Sequence, residues 1–241
     1  MLSTSIKSKG QDMIEEPPIL TLRRNFPRPT QAQVDAFKGV QTGFVVDAMK
    51  GRGALDGTIK PCSNDQAVFC GVAVTAHAGP ADIIGPFSAI EISGPGDIVV
   101  VATDGYQATA VAGDRMLGIA KNRGVEGFVT DGYVRDVTGI LDVGVPCFCT
   151  GITPNSPAAN GPATVGQRIT LGGATVNAGD IIIGDRDGVV VVPFAIIDQV
   201  IADLKVVCEL EKELDTKVLE GLKTPSFIKE LFESDRVKII D

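Results

Sequence analysis

Arg135 and Asp136 are the neighbouring residues in this chain whose types are best suited to chemistry. They follow the apolar run 128–129 and a turn at Gly132, and α/β proteins place functional groups where a strand ends in a turn. A second carboxylate, Asp114, lies upstream. Two carboxylates around one arginine can hold a divalent metal ion through oxygen ligands and an anionic substrate through the guanidinium group. The pattern therefore predicts a site for a metal ion and an anion together.

Structural roles for the same residues remain open on the sequence alone. Asp114 follows a glycine at the predicted start of a helix, where a carboxylate is also an ordinary N-cap. Arg135 and Asp136 can likewise form a surface ion pair or cap a helix. The run 113–117 nevertheless indicates a helix N-terminus, whose unpaired backbone N–H groups attract anions.

The composition is typical of a globular protein. The chain has 241 residues and a formal net charge of −8, and 44% of its residues are hydrophobic. The acidic balance argues against general nucleic-acid binding, which requires a basic surface. No apolar run approaches the roughly 20 residues of a membrane span, and the N-terminus lacks the apolar core of a secretory signal. We therefore expect a cytoplasmic protein that binds neither nucleic acid nor membranes.

The histidine and cysteine content narrows the kind of metal site. His77 is the only histidine, so a site with several histidines from one chain is excluded and any catalytic triad would depend on this residue. The five cysteines are odd in number and form no Cys-x-x-Cys motif, which favours reduced and mostly buried thiols. A metal would therefore be held by oxygen ligands, which suit magnesium, manganese or calcium.

Helical and strand patterns alternate along the chain and predict an α/β fold with a mixed sheet. Thr30 is expected to cap a first helix, and a second helix is expected over 42–49. Further helices are predicted at 87–92, 115–123 and 194–222, strands at 68–76, 96–102, 125–130, 145–150 and 189–192, and a long loop at 151–167. The segments 96–105 and 179–188 share a Gly-Asp start and an Asp-Gly end, which predicts two hairpin-like strands.

The C-terminal helical pattern contains one charged residue in its apolar seam. Apolar residues recur at steps of three and four from Ile197 to Val218, and the step that is missing falls at Glu211. Glu211 either faces a partner or lies at the edge of the seam in solvent, and the pattern alone leaves both open.

The spacing of Asp114 and the Arg135–Asp136 pair resembles the signature of the divalent-metal-dependent 4-hydroxy-4-methyl-2-oxoglutarate / 4-carboxy-4-hydroxy-2-oxoadipate aldolases. These enzymes share a fold with the regulator of ribonuclease activity A, RraA. Four further segments resemble the same superfamily: 44–49, 71–75, 94–101 and 179–193. The resemblance implies an RraA-like swivelling β/β/α domain over 29–222, with a central mixed sheet flanked by helices. An N-terminal arm over 1–28 and a tail over 223–241 complete the predicted organisation.

The resemblance also implies a role for each site residue. Asp136 matches the direct metal ligand, and Asp114 matches a catalytic acid that reaches the metal through water. Arg135 matches the arginine that contacts the keto and carboxylate oxygens of the substrate. The backbone amides of Arg115 and Met116 match the loop that binds the pyruvyl carboxylate. A glutamate of the neighbouring subunit completes the site; we expect Glu211, with Glu209 and Glu213 as the alternatives.

The expected activity is that of a class II aldolase, using Mg²⁺ or Mn²⁺. It would cleave a 4-hydroxy-2-oxo diacid to pyruvate and a second oxo acid, with oxaloacetate decarboxylation as a possible side activity. The resemblance further implies a homotrimer or a dimer of trimers. The rival hypotheses are a non-catalytic RraA-like regulator of an RNA-degradation enzyme and a related oxo-acid lyase. The presence of Asp136 favours the enzyme, because the regulators typically lack the acid after the arginine.

Overall fold

Four parallel strands form the centre of the structure, a computed structural model that describes residues 16–240. They are β3 (Phe69–His77), β4 (Asp97–Ala102), β6 (Gly127–Thr130) and β8 (Cys147–Cys149), paired in that order. Nearly every residue in them is buried. Their continuous runs of β-branched and other apolar residues suit strands that are covered on both faces.

Three helices connect these parallel strands and cover one face of the sheet. They are α3 (Ile84–Ile92), α4 (Asp114–Asn122) and α5 (Val137–Val143). Parallel neighbours need such crossover connections, because a short turn cannot return the chain to the same edge. Their buried side chains, including Ile90, Leu117 and Ile140, share one apolar core with alternate residues of the strands. The other strand residues face a second core on the opposite side of the sheet.

Antiparallel strands extend the sheet and make it mixed, as the sequence predicted. β13 (Ile181–Asp185) pairs with the first half of β3 and with β14 (Gly188–Val192), whereas β10 (Ala163–Val165) pairs with the end of β3. β1 (Leu20–Leu22) runs parallel to β10. The remaining strands are β2 (Lys60–Pro61), β5 (Ala110–Ala112), β7 (Tyr133–Val134), β9 (Gly151–Ile152), β11 (Ile169–Leu171) and β12 (Ala174–Val176). The path across the main sheet is β1-β10-β3-β4-β6-β8-β2, and β5-β7-β9 form a small sheet beside it.

The part of the arm that the structure describes belongs to its own chain's sheet. Residues 1–15 lie outside the described residues, but β1 forms an edge of the main sheet. The Arg28 guanidinium donates to both carboxylate oxygens of Asp97, over 2.6 and 3.0 Å. The Asp97 side chain is only 1% exposed, and its hydrogen bond with Arg28 raises the pKa of the arginine. This ion pair fixes the arm against the start of β4.

Helices from both ends of the chain form a further layer against β13 and β14. α1 (Gln31–Asp35) begins with the predicted cap, since Thr30 and Gln33 form a complete capping box. α2 (Thr42–Ala48) packs against α6 (Ile197–Leu219), and a short helix, α7 (Ser226–Phe232), follows. Only the first part of α6 is buried, at Ile197, Val200 and Leu204. Within residues 16–240, no helix combines the length and apolar character that crossing a membrane requires.

The repeated Gly-Asp segments are similar at their beginnings, and only one of them forms a hairpin. In the first segment Asp97 bonds with Gly94, and in the second Asp180 bonds with Asn177. In each pair the aspartate N–H donates to the backbone carbonyl of the partner, and the aspartate carboxylate accepts the partner's backbone N–H. The second segment forms the β13–β14 hairpin. The prediction of a hairpin at 96–105 is wrong, because β4 lies between two parallel strands. The local turn chemistry recurs, but distant partners decide how each strand pairs.

All five cysteines are free thiols in the structure, and none forms a disulfide. Hydrogen bonding to Cys147, together with burial, raises the pKa of Cys62 to about 12. Burial raises the pKa of Cys70 to about 12 as well. The Cys62 and Cys149 sulfurs lie 3.7 Å apart, and their hydrogen bond raises the pKa of Cys149. Raised pKa values disfavour the thiolate, the reactive form, at these three positions, and three of the five cysteines are buried, in accord with the expectation.

Candidate metal and substrate site

Two strand ends of the small sheet bring the predicted site residues together. β5 leads through Gly113 into Asp114 at the start of α4, and β7 leads into Arg135 and then Asp136 at the start of α5. β5 and β7 run parallel, and the Arg135 N–H donates to the Ala112 carbonyl over 3.0 Å. The starts of the two packed helices therefore meet at one place, with both carboxylates and the arginine.

Two glycines allow this close approach. A Cβ atom on Gly113 would lie 3.1 Å from an Asp136 carboxylate oxygen and 3.2 Å from Cγ of Arg135. A Cβ atom on Gly139 would lie 2.6 Å from an Asp114 carboxylate oxygen and 2.7 Å from its Cβ. Both distances at Gly139 are shorter than real Cβ atoms show, so Asp114 occupies the space that a side chain at position 139 would need.

Asp136 is held in an unusual backbone conformation with its carboxylate available. Its φ and ψ are 56° and 44°, in the left-handed region that aspartate occupies more readily than most residues. It stands at the N-cap position of α5, but its side chain makes no capping hydrogen bond. Its carboxylate instead lies 3.4 Å from Nε of Arg135, and the side chain is 51% exposed. The ion pair that the sequence left open is therefore present, whereas the side-chain cap is not.

The Arg135 guanidinium is fixed from two sides. Nε faces Asp136, and Nη1 donates to the hydroxyl oxygen of Ser156 over 2.8 Å. The side chain is 36% exposed, so its remaining N–H groups are accessible to an anion. Ser156 belongs to the segment that the sequence predicted only as a loop.

The structure departs from the sequence prediction at the start of α4. The N-cap is Gly113 rather than Asp114. The Asp114 carboxylate accepts the Arg115 N–H over 2.6 Å, so that amide already has an acceptor. Arg115 and Met116 both line the cavity beside the site, and Met116 is almost fully buried. All five residues expected in this part of the site therefore surround one cavity.

This cavity has a volume of about 750 Å³, and its walls differ in polarity. The charged residues of the site line it together with apolar residues, of which we call Ile83, Phe87 and Pro157 the apolar wall. The sequence did not indicate the apolar wall, because its residues come from α3, from the N-cap position before it and from the loop 153–162. A cavity of this volume, with a mixed polar and apolar lining, is typical of a site for a small molecule.

The described residues of one chain do not complete a metal site. Among residues 16–240, no three acidic, histidine or cysteine side chains converge in a way that could hold a metal ion. Asp114 and Asp136 supply two carboxylates, and Glu211 does not line their cavity. Glu211 lies in the partly exposed second half of α6. Its contribution from a neighbouring subunit therefore stays a prediction.

His77 lies apart from this site. It ends β3, and its Nε2 is 2.9 Å from a carboxylate oxygen of Asp104. The pair lines a different hollow, next to the arm. The structure thus places the single histidine outside the cavity of Asp114 and Arg135, in accord with a structural role.

Comparison with known proteins identifies the family. The sequence model of the Aldolase/RraA family, described as RraA-like, matches residues 42–191. A protein of Halalkalibacterium halodurans, provisionally named as a 4-hydroxy-4-methyl-2-oxoglutarate aldolase, is 37% identical over 168 residues, which cover 68% of this chain and 79% of that protein. The chain therefore belongs to the Aldolase/RraA family.

Solved structures of RraA proteins share the fold. RraAS2 of Streptomyces coelicolor, described as an unusual member of the RNase ES inhibitor RraA family, superimposes with a TM-score of 0.70 at 25% identity and covers 79% of this chain and 100% of its own. The RNA-processing inhibitor RraA of Thermus thermophilis gives a TM-score of 0.59 at 25% identity, over 64% of this chain and 93% of its own. The predicted RraA-like fold with its central mixed sheet is confirmed.

We expect a methyl group at Gly139 to disturb the site without unfolding the protein. In Gly139→Ala, the added Cβ displaces the Asp114 side chain, so any activity or metal affinity that depends on Asp114 should fall by about 10-fold or more. The matched control is Gly118→Ala in α4, whose Cβ would meet its nearest neighbour at 3.9 Å. Activity, metal binding by calorimetry and the melting temperature should be measured for both. Equal activity of the two variants would contradict the packing of Asp114 on Gly139.

Proposed function

We propose that this protein is a divalent-metal-dependent aldolase that cleaves a 4-hydroxy-2-oxo diacid to pyruvate and a second oxo acid. One observation carries the proposal: Asp114, Arg135 and Asp136 meet at one cavity, with the Asp136 carboxylate free of capping and the arginine held in place. The similarity to the provisionally named aldolase supports it. Oxaloacetate decarboxylation is proposed as a side activity, since it also leaves negative charge on a pyruvyl fragment.

The acidic residues suit Mg²⁺ or Mn²⁺. Both ions prefer carboxylate oxygens and keep several water ligands, so two carboxylates from one chain are compatible with a site of this kind. We assign direct ligation to Asp136, whose carboxylate is exposed and uncapped, and contact through water to Asp114. When bound, the ion would supply a Lewis acid for the keto and carboxylate oxygens of the substrate.

The side chains of the chain itself then have separate tasks. Arg135 binds the keto-acid end and stabilises the negative charge that develops on the pyruvyl fragment as the C3–C4 bond breaks. Asp114 orients a water-derived base that takes the proton from the C4 hydroxyl group. The C4 oxygen becomes a carbonyl as the C3–C4 bond breaks, and the proton is returned to C3 to give pyruvate. The Met116 backbone N–H, in the first turn of α4, is assigned to the pyruvyl carboxylate.

Pyruvate release tests the proposed reaction. The purified chain, with Mg²⁺ or Mn²⁺, should release pyruvate from 4-hydroxy-4-methyl-2-oxoglutarate, as followed with lactate dehydrogenase and NADH. Arg135→Ala should lower kcat/KM by about 100-fold or more with an unchanged melting temperature, because its charge stabilisation is lost. The control is Arg186→Ala, whose side chain is 67% exposed in the β13–β14 turn. Full activity of Arg135→Ala, or of chelator-treated protein, would sink the proposal.

Arg115 is proposed to select a substrate with a second carboxylate. Asp114 and Asp136 balance the charges of Arg115 and Arg135 around the cavity, so a divalent cation together with a dianionic substrate leaves the site neutral. The apolar wall offers no charge to a second carboxylate, whereas the guanidinium of Arg115 can bind one through two hydrogen bonds.

Two analogues of equal chain length test this selectivity. 2-Oxoglutarate and 2-oxovalerate differ in a terminal carboxylate, and neither has the C4 hydroxyl that cleavage requires. Arg115→Gln should weaken 2-oxoglutarate binding by about 10-fold and leave 2-oxovalerate binding unchanged, because one charged hydrogen-bonding partner is lost. Calorimetry with Mg²⁺ measures both, with Arg186→Gln as the control of equal net charge. A parallel loss for the two ligands would show that Arg115 does not recognise the second carboxylate.

A homotrimer or a dimer of trimers is proposed as the active form. The second half of α6 exposes apolar residues in the isolated chain, with Leu210 at 59%, Leu214 at 42% and Val218 at 55% exposure. Contact with a neighbour would cover this face and bring Glu211 to the neighbour's site.

The mass of the intact protein and three matched variants test this assembly. Light scattering should give three or six times the mass of the chain. Glu211→Gln should lower kcat by about 10-fold or more, whereas Glu209→Gln and Glu213→Gln should retain activity. A monomer in solution would refute the shared site, and loss of activity in a control variant instead would move the assignment to that residue.

The regulator hypothesis remains as a second candidate because the two RraA structures share this fold at 25% identity. It predicts binding to an RNA-degradation enzyme and no requirement for a metal ion. A chain that releases no pyruvate from any oxo diacid, yet inhibits such an enzyme, would establish it.

A further inference from the structure

The loop 153–162 forms one side of the site, although it makes little regular structure. Its Ser156 accepts the hydrogen bond from Nη1 of Arg135, and Pro157 lines the cavity. Asn155 secures the near end: its carbonyl accepts the Ala110 N–H over 3.0 Å, and its side chain donates to the Ala108 carbonyl over 2.8 Å. The loop is therefore attached to the strand that leads into Asp114.

A buried carboxylate secures the far end of the same loop. Asp82 is only 4% exposed, and one of its oxygens accepts the backbone N–H groups of Asn160 and Gly161, at 2.5 and 2.9 Å. Its other oxygen accepts the Ile84 N–H at 2.8 Å, at the start of α3. The Ile83 N–H also donates to the Ala158 carbonyl over 3.0 Å. A carboxylate with three backbone donors is well satisfied, so this attachment is strong for a loop.

We infer that Ser156 is a positioning residue for Arg135, and that Asp82 acts through the loop to hold Ser156 in place. Arginine has many rotamers, and a guanidinium that is already oriented loses less freedom when it binds a substrate. Nε lies beside Asp136 and Nη1 donates to Ser156, which leaves the other N–H groups of the guanidinium for a substrate. This inference rests on the proposed function of the same site, since it assigns how its arginine is oriented.

A double-mutant cycle between Ser156 and Arg135 tests the inference. Ser156→Ala should lower kcat/KM for pyruvate release by about 3- to 10-fold, and Ser156→Thr, which keeps the hydroxyl, should restore most of it. In an Arg135→Lys background, Ser156→Ala should have no further effect, because the coupling partner is gone. Asn160→Ala is the control in the same loop, since the backbone of Asn160, and not its side chain, donates to Asp82.

The Asp82→Asn variant provides an independent test. It weakens the buried attachment and should reproduce the Ser156→Ala defect without adding to it in the double variant. A loss from Ser156→Ala that persists in full in the Arg135→Lys background, or that threonine does not rescue, overturns the inference. Should Asp82→Asn fail to fold, the Ser156 and Arg135 variants still decide the question.

A binding measurement separates this inference from the reaction itself. The affinity for 2-oxoglutarate with Mg²⁺, measured by calorimetry, should fall by about 3- to 10-fold in Ser156→Ala and recover in Ser156→Thr. Such a pattern without any pyruvate release would support the positioning role and refute the proposed reaction. Unaltered affinity and unaltered kcat/KM in Ser156→Ala would refute the positioning role while the proposed reaction stands. Failure to bind the oxo acid at all would refute both.

Discussion

The close approach of two helix starts is the constraint on which the candidate site depends. α4 and α5 follow parallel strands of the small sheet, with Asp114 in the first turn of α4 and Asp136 at the N-cap position of α5. Gly113 and Gly139 remove the side chains that would otherwise keep the two turns apart. The geometry of the site thus depends on the absence of side chains at these two positions as much as on its polar groups. A single added methyl group would disturb it.

Electrostatics and backbone conformation reinforce this arrangement. Two aspartates and two arginines line one partly open cavity, so the formal charges of these four residues balance. Asp136 adopts a left-handed backbone conformation, which costs of order 1 kcal/mol or more and persists where the surroundings impose it. An uncapped carboxylate in such a conformation is more easily explained by a ligand than by the stability of α5.

Much of the fold was predictable because its signals are local. Capping chemistry marks the start of α1, and β-branched runs identify β4 and β14. The clustering of Asp114 with Arg135 followed from the family resemblance together with the strand-end pattern. Ser156 was not predictable, because its place depends on Asp82, whose bonds to the loop span 78 and 79 residues. The hairpin expected at 96–105 failed for the same reason, since strand pairing is decided by distant partners.

The parallel pairing of β1 with β10 links the N-terminal region to the site through the backbone. β10 directly follows the loop that carries Ser156, and Arg28 fastens the same arm to the buried Asp97. Without residues 16–28, β10 would become an open sheet edge, and such edges invite pairing with other chains. The arm therefore keeps β10 paired on both sides, and its removal by proteolysis would leave the strand that follows the Ser156 loop paired with β3 alone.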